Sequence, residues 1–130
     1  MSGRVLLDTN IVIAILAKEP TAHQHLSAAA EVFASSIVLG EIHYGARKSS
    51  RVESNLQTVH EFAAANRILP CDSETAEQYG QIKNQLRAKG RPLPENDIWI
   101  AATAKQYGLT LVSRDGHFDH IDGLTVESWN

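Results

Sequence analysis

Val5, Leu6 and Leu7 form a wholly apolar run that meets Asp8-Thr9-Asn10 and then a second apolar stretch over residues 11–17. A run this short, with no polar alternation, suits a strand buried on both faces, as in a parallel sheet covered by helices. Asp8, Thr9 and Asn10 are helix-capping residue types, so the chain is expected to turn from strand straight into helix. The stretch over 11–17 is apolar on most faces, which predicts a largely buried helix that stops before Pro20. Both elements need a second layer to cover them.

The same alternation runs through the rest of the chain. A second helix follows Pro20 through Ala22, Leu26 and Ala29, and Val32, Phe33 and Ala34 make the next strand. Ser35-Ser36 caps a helix that reaches about Ala46. Helical spacing resumes over 52–65, with Leu56, Val59, His60 and Ala63 on one side, and Arg67-Ile68-Leu69 is strand-like. Asp72-Ser73-Glu74 opens an amphipathic helix carrying Ala76, Tyr79, Ile82 and Leu86, which stops at Gly90. After the Pro92 and Pro94 connector, Asn96-Asp97 is expected to cap a helix running to Tyr107, with Gly108 as its stop. Residues 109–113 read as a strand, Arg114-Asp115-Gly116 as a turn and Leu124-Thr125-Val126 as a short final strand. The pattern predicts an α/β fold, a parallel sheet with helices on both faces. Ligands in such sheets bind beyond the carboxyl ends of the strands, near the reversal of strand order. Asp8 and Asp115 each follow a strand and are expected at that edge.

A length of 130 residues fits one domain over 1–130, and 43% hydrophobic against 21% charged residues excludes wholesale disorder. The apolar stretch over 11–17 is far short of the ~20 residues that span a bilayer, so no membrane association is expected. The single cysteine, Cys71, has no partner for an internal disulfide, and no basic, hydrophobic leader opens the chain. A cytoplasmic protein is expected. Twelve Lys and Arg against 15 Asp and Glu give a net charge of −3, which argues against coating nucleic acid by bulk charge. A nuclease is not excluded, because its active site is often locally acidic.

Asp8, Glu41, Asp97 and Asp115 stand out. Each has an ordinary local role: Asp8 and Asp97 as N-caps, Asp115 in an Asp-Gly turn, Glu41 on a solvated helix face. Their joint placement asks for more. Glu41 lies among Ile37, Val38 and Ile42, where a carboxylate needs a reason to face inward. Two ionised carboxylates ~5 Å apart repel by about 3 kcal/mol at an effective dielectric of 20, and capping alone does not require that. A hard divalent cation, Mg²⁺ or Mn²⁺, removes the repulsion and retains waters for phosphodiester hydrolysis.

These residues sit in segments that together resemble the PIN-domain ribonucleases, specifically the VapC-type toxins of toxin–antitoxin modules. The segments are Leu6-Leu7-Asp8-Thr9-Asn10, Ser36-Ile37-Val38-Leu39-Gly40-Glu41, Asn96-Asp97-Ile98-Trp99-Ile100-Ala101-Ala102, Leu111-Val112-Ser113-Arg114-Asp115, His117-Phe118, and residues 121–129. Ser113 stands where the family commonly has threonine and keeps the hydroxyl. The resemblance implies a PIN-like three-layer fold with a short, mostly parallel sheet of about five strands flanked by helices. It implies that Asp8, Asp97 and Asp115 surround a metal, Mg²⁺ or Mn²⁺, with Glu41 completing the pocket. Thr9, Asn10 and Ser113 would orient carboxylates or waters. The implied activity is endoribonucleolytic cleavage of single-stranded or loop RNA, restrained by a small antitoxin.

Two other functions fit the residues less well. A phospho-acceptor receiver wants a second acid beside Asp8 and a lysine after the last long strand, where this chain has Thr9 and Arg114. A silent PIN module used only for binding is expected to lack one of the four acids, and none is lacking. Zinc fails on ligand arithmetic: His23 and His25 point to different helix faces, and His117 and His120 have only acids nearby. Cys71 reads as a small buried residue. Arg47 and Lys48, with Arg51, and Arg87, Lys89 and Arg91 read either as solvated helix ends or as phosphate clamps for RNA. A homodimer is expected partly from the resemblance and partly from the chain: residues 11–16 and the helices beginning near Thr21 and Val52 offer more apolar surface than a small sheet covers.

Overall fold

The computed structural model describes residues 3–129. Its strands are β1 (Arg4–Leu7), β2 (Glu31–Ser35), β3 (Arg67–Leu69), β4 (Thr110–Val112) and β5 (Val126–Glu127). Its helices are α1 (Thr9–Leu16), α2 (Pro20–Ala28), α3 (Ser36–Arg47), α4 (Val52–Ala65), α5 (Ser73–Lys89) and α6 (Glu95–Tyr107). A 3₁₀ turn over Gly116–His120 was not foreseen. The strand order is β3-β2-β1-β4-β5 and every pairing is parallel.

Val5, Leu6 and Leu7 are fully buried in the central strand, as an uninterrupted apolar run requires. From β1 the chain winds outward to β2 and β3, then returns to the other side for β4 and β5. The reversal therefore lies between β1 and β4, and the crevice beyond their carboxyl ends is flanked by Asp8 and Ser113. α3 packs against α1, α4 and α6, while α5 packs against α6. This is how residues from distant parts of the chain reach that crevice.

Local signals account for most helix boundaries. Asp8 caps α1, Ser35 Oγ accepts from Val38 N at 3.2 Å, and Asp72 Oδ1 accepts from Glu74 N and Thr75 N at 3.1 Å. Gly90 and Gly108 end α5 and α6 with φ of 66° and 64°, the left-handed backbone that favours glycine.

Several expectations are corrected. Asn96-Asp97 does not cap α6: Pro94 takes the N-cap position in an extended conformation, and Glu95 begins the helix. Proline's fixed φ and missing N–H suit it to a helix start, so Asp97 falls inside the first turn with its side chain free for another task. The last strand is Val126–Glu127 rather than residues 124–126, because the turn at Gly123 (φ 75°) delays pairing with Leu111 and Val112. Cys71 is exposed rather than buried, lying beyond β3 on the way into α5. Among the described residues no helix is long and apolar enough to cross a membrane.

Candidate active site

Asp8 leaves the end of β1 and is 4% exposed, an unusual depth for a carboxylate. Its backbone N–H donates to Val112 O at 2.9 Å, which ties it to β4. Its side chain is gripped at both oxygens: Oδ1 accepts from Thr9 N at 2.9 Å and Oδ2 from Ser113 Oγ at 2.7 Å. The Ser113 hydroxyl in turn accepts from Asp115 N at 3.0 Å. One buried hydroxyl thus fixes the orientation of Asp8 and the backbone position of Asp115. Burial raises the Asp8 pKa above its ordinary 3.8, opposed by the Ser113 and Thr9 hydrogen bonds and reinforced by the charges of Asp115 and Glu41.

Glu41 projects from α3 and is half-buried; its Oε1 accepts from Thr9 Oγ1 at 2.6 Å. Thr9 therefore serves two acids, Asp8 through its N–H and Glu41 through its hydroxyl. Asp97, on the first turn of α6, also has a raised pKa, from burial first and then from Asp8, with Glu41 and Asp115 adding and His117 opposing. Asp8 and Asp97 each feel the charges of Glu41 and Asp115, which draws the four acids into one set. Asp115 is the most open, with a side chain 54% exposed.

His117 is the residue that sequence reasoning passed over. Its Nε2 lies 3.0 Å from Asp97 Oδ2 and 3.8 Å from Asp115 Oδ2. The nitrogen is buried and makes no hydrogen bond within this distance. His117-Phe118 belongs to the resembling segments, but the one role considered for this ring was zinc ligation; the signal for another is its place on the 3₁₀ turn that begins just after Asp115.

Asn10 acts on backbone rather than on a carboxylate: its Oδ1 accepts from Arg114 N at 3.4 Å. Arg114 is a second hub, forming a bidentate contact with Glu19 at 2.5 and 3.2 Å and donating from Nε to Trp129 O at 3.4 Å. The loop bearing Asp115 is held from three directions.

The basic residues separate. Lys48 lines the same groove as Thr9, Glu41 and Asn96, whereas Arg87 lines a different cavity with Lys83, Leu93 and Glu95. Lys89 is engaged elsewhere, with Nζ 2.6 Å from Asp122 Oδ1 and 2.9 Å from His120 O. Arg47 and Arg91 are exposed.

The candidate donors Asp8, Glu41, Asp97 and Asp115 are all oxygen, the preference of a hard divalent cation. No three His, Cys, Asp or Glu side chains among the described residues are arranged to clasp one ion by themselves.

Replacing Ser113 by alanine removes the shared hydroxyl and frees both Asp8 Oδ2 and Asp115 N. For the RNA cleavage that the resemblance implies, a 10- to 100-fold loss is expected, roughly the range for groups that orient ligand carboxylates. Initial rates settle the point, and a Ser113→Ala enzyme with the parent's rate contradicts it.

A sequence profile of the PIN domain matches residues 5–124. Ribonuclease VapC2 of Haemophilus influenzae is 36% identical over 129 residues, covering 97% of this chain and 98% of that protein. The tRNA(fMet)-specific endonuclease VapC of Shigella flexneri is 32% identical over 130 residues, covering 98% of each. The fold matches the DNA-bound VapBC structure of Salmonella typhimurium with a TM-score of 0.91, 33% identity and 100% coverage of both chains. Sequence likeness over nearly the full length, the parallel sheet order and the acids at its switch point agree, and this chain belongs to the PIN-domain family.

Proposed function

We propose that this protein is a metal-dependent endoribonuclease that hydrolyses phosphodiester bonds in single-stranded or loop RNA and acts as the toxin of a toxin–antitoxin pair. The observation that carries the reading is the convergence of four carboxylates where strand order reverses, with Asp8 and Asp97 both held above their ordinary pKa.

The oxygens of Asp8 and Asp97, with Asp115 and Glu41 around them, would hold Mg²⁺ or Mn²⁺. When bound, the cation supplies Lewis-acid activation of water and neutralises charge on the phosphate oxygens. The chain's own residues do the positioning. Ser113 and Thr9 each occupy one lone pair of the Asp8 carboxylate and leave the others turned to the site. Glu41 has Oε1 taken by Thr9, which leaves Oε2 to accept the proton of an attacking water. Water adds to phosphorus, the bond to the 3′-oxygen breaks, and that oxygen takes a proton from solvent water while Glu41 releases its own to solvent. Lys48, on the rim of the same groove, offsets the repulsion between the acids and RNA phosphates.

Mapping RNA ends after incubation with the purified protein tests this. Products should carry 5′-phosphate and 3′-hydroxyl termini, since the water route makes no use of the 2′-hydroxyl. Cyclic 2′,3′-phosphate ends would count against it.

The partner is proposed to be a small antitoxin, and the protein a homodimer acting in the cytoplasm. Similarity to a chain of a VapBC assembly supports the first. Ile13, 55% exposed on an otherwise apolar α1, supports an uncovered docking face, which a partner helix would bury. A partner arginine reaching the acids would pair with them bidentately and block the site. Light scattering should give a dimer, and purification from the native host should bring down a small basic partner. A monomer at every concentration, with nothing bound, sinks both statements.

A further inference from the structure

Tyr44 is 66% exposed, more than Ile13, the other large exposed hydrophobic among the described residues. It stands on α3 three residues after Glu41, on the same side of the helix. Together with Thr9, Ser36, Glu41, Lys48 and Asn96 it lines a groove of about 660 Å³. Lys48 Nζ lies over the ring, 5.1 Å from its centroid. Gly40, one turn earlier on the same groove, leaves its floor open: no atom lies within 4 Å of where a Cβ would stand.

Core packing does not account for an aromatic ring held in water beside a buried acidic centre. We propose that Tyr44 is a nucleotide-stacking residue. One base of single-stranded RNA lies on its ring next to the cleaved bond, and Lys48 takes the adjoining phosphate. The inference rests on the ribonuclease reading and adds to it the place where the substrate's base sits. Bases stack on aromatic side chains in proteins that bind single strands, and stacking tolerates any sequence because every base has a π-face. On binding, the Lys48 ammonium exchanges a cation–π contact for a charge-assisted bond to phosphate.

The lining favours RNA over a partner helix. Both grooves mix apolar and polar side chains, but this one carries an ammonium, Lys48, that can meet a phosphate, whereas the neighbouring one, with Leu16, Ile42 and Val59 beside Glu41, Asn55 and Thr58, is lined by no cation.

The test uses a fluorescent single-stranded oligoribonucleotide and the full chain carrying Asp97→Asn, so that binding is read without cleavage. Adding Tyr44→Ala should weaken binding roughly 5- to 150-fold, the range of one lost base stack, and Tyr44→Phe should rescue it. In the otherwise native protein, Tyr44→Ala should raise KM more than it lowers kcat. An abasic nucleotide beside the cleaved bond should remove the difference between tyrosine and alanine. Equal affinities for the alanine and parent proteins overturn the proposal while leaving the ribonuclease reading intact. An altered oligomeric state with unchanged RNA affinity assigns the ring to contacts between copies and also overturns it. Failure of the native protein to bind or cleave RNA removes both readings together.

Discussion

Asp97→Asn is expected to lower RNA cleavage by at least about 100-fold, beyond the usual effect of losing a group that only orients a ligand. The amide keeps the shape of the side chain but loses the charge that would hold a cation, while the first turn of α6 does not depend on it because Pro94 sets the start. Stability in metal-free buffer should be unchanged or slightly raised. The sign follows from linkage. Asp97 in the folded chain has a pKa above 3.8, so between 3.8 and the raised value the native state binds more protons than the unfolded chain. Stability contributed at this position is present below that window and is lost as pH rises through it. Asparagine has no such loss, so the variant should gain on the parent toward neutral pH. Urea melts at acid and neutral pH read this directly; parental turnover by the variant, or a fold that collapses at neutral pH, contradicts the role given to Asp97.

Removing divalent cations is expected to abolish cleavage altogether, and adding back Mg²⁺ or Mn²⁺ to restore it. The oxygen-only donor set motivates this, since such sites bind hard cations through one or two carboxylates and retained water. A second readout needs no RNA. A cation that binds only the folded chain stabilises it by about 2.7 kcal/mol at a concentration 100 times its Kd, and that gain should disappear in Asp97→Asn. Full activity in excess chelator would refute the metal requirement, and an Mg²⁺-dependent rise in Tm that survives Asp97→Asn would move the site elsewhere.

Much of the fold was legible because its signals are local. The unbroken apolar run before Asp8 specified a buried strand, and Ser35, Asp72, Gly90 and Gly108 marked helix ends that the structure reproduces. The start of α6 lies two to three residues earlier than the sequence suggests, since an Asn-Asp pair after a proline looks like a cap when the proline itself takes that position. Strand order lay beyond reach: β1 pairs with β2 and β4 through side-chain packing between segments far apart in the chain, and periodicity carries no such information. Asp8, Asp97 and Asp115 stand out in the sequence by their strand-end and helix-start positions, and Glu41 by its apolar neighbours Ile37, Val38 and Ile42. His117 does not, because what gives it meaning is Asp97 on another element, brought to it only by the packing of α6 beside the sheet.

The hydrogen bond from Ser113 to Asp8 joins residues 105 positions apart. On a ribosome, the first strand and α1 emerge early, and β2 follows soon after to pair with β1. The other side of β1 stays bare until Thr110–Val112 has been made. Asp97 and Asp115 are synthesised late as well, so an emerging chain holds Asp8 and Glu41 without their companions. Loop closure over such a separation is slow, and it can begin only once residues 110–113 have left the exit tunnel. A partly synthesised chain therefore carries Asp8 without the hydroxyl that fixes its orientation, and the acidic pocket takes shape only once α6 and β4 have joined the elements made before them.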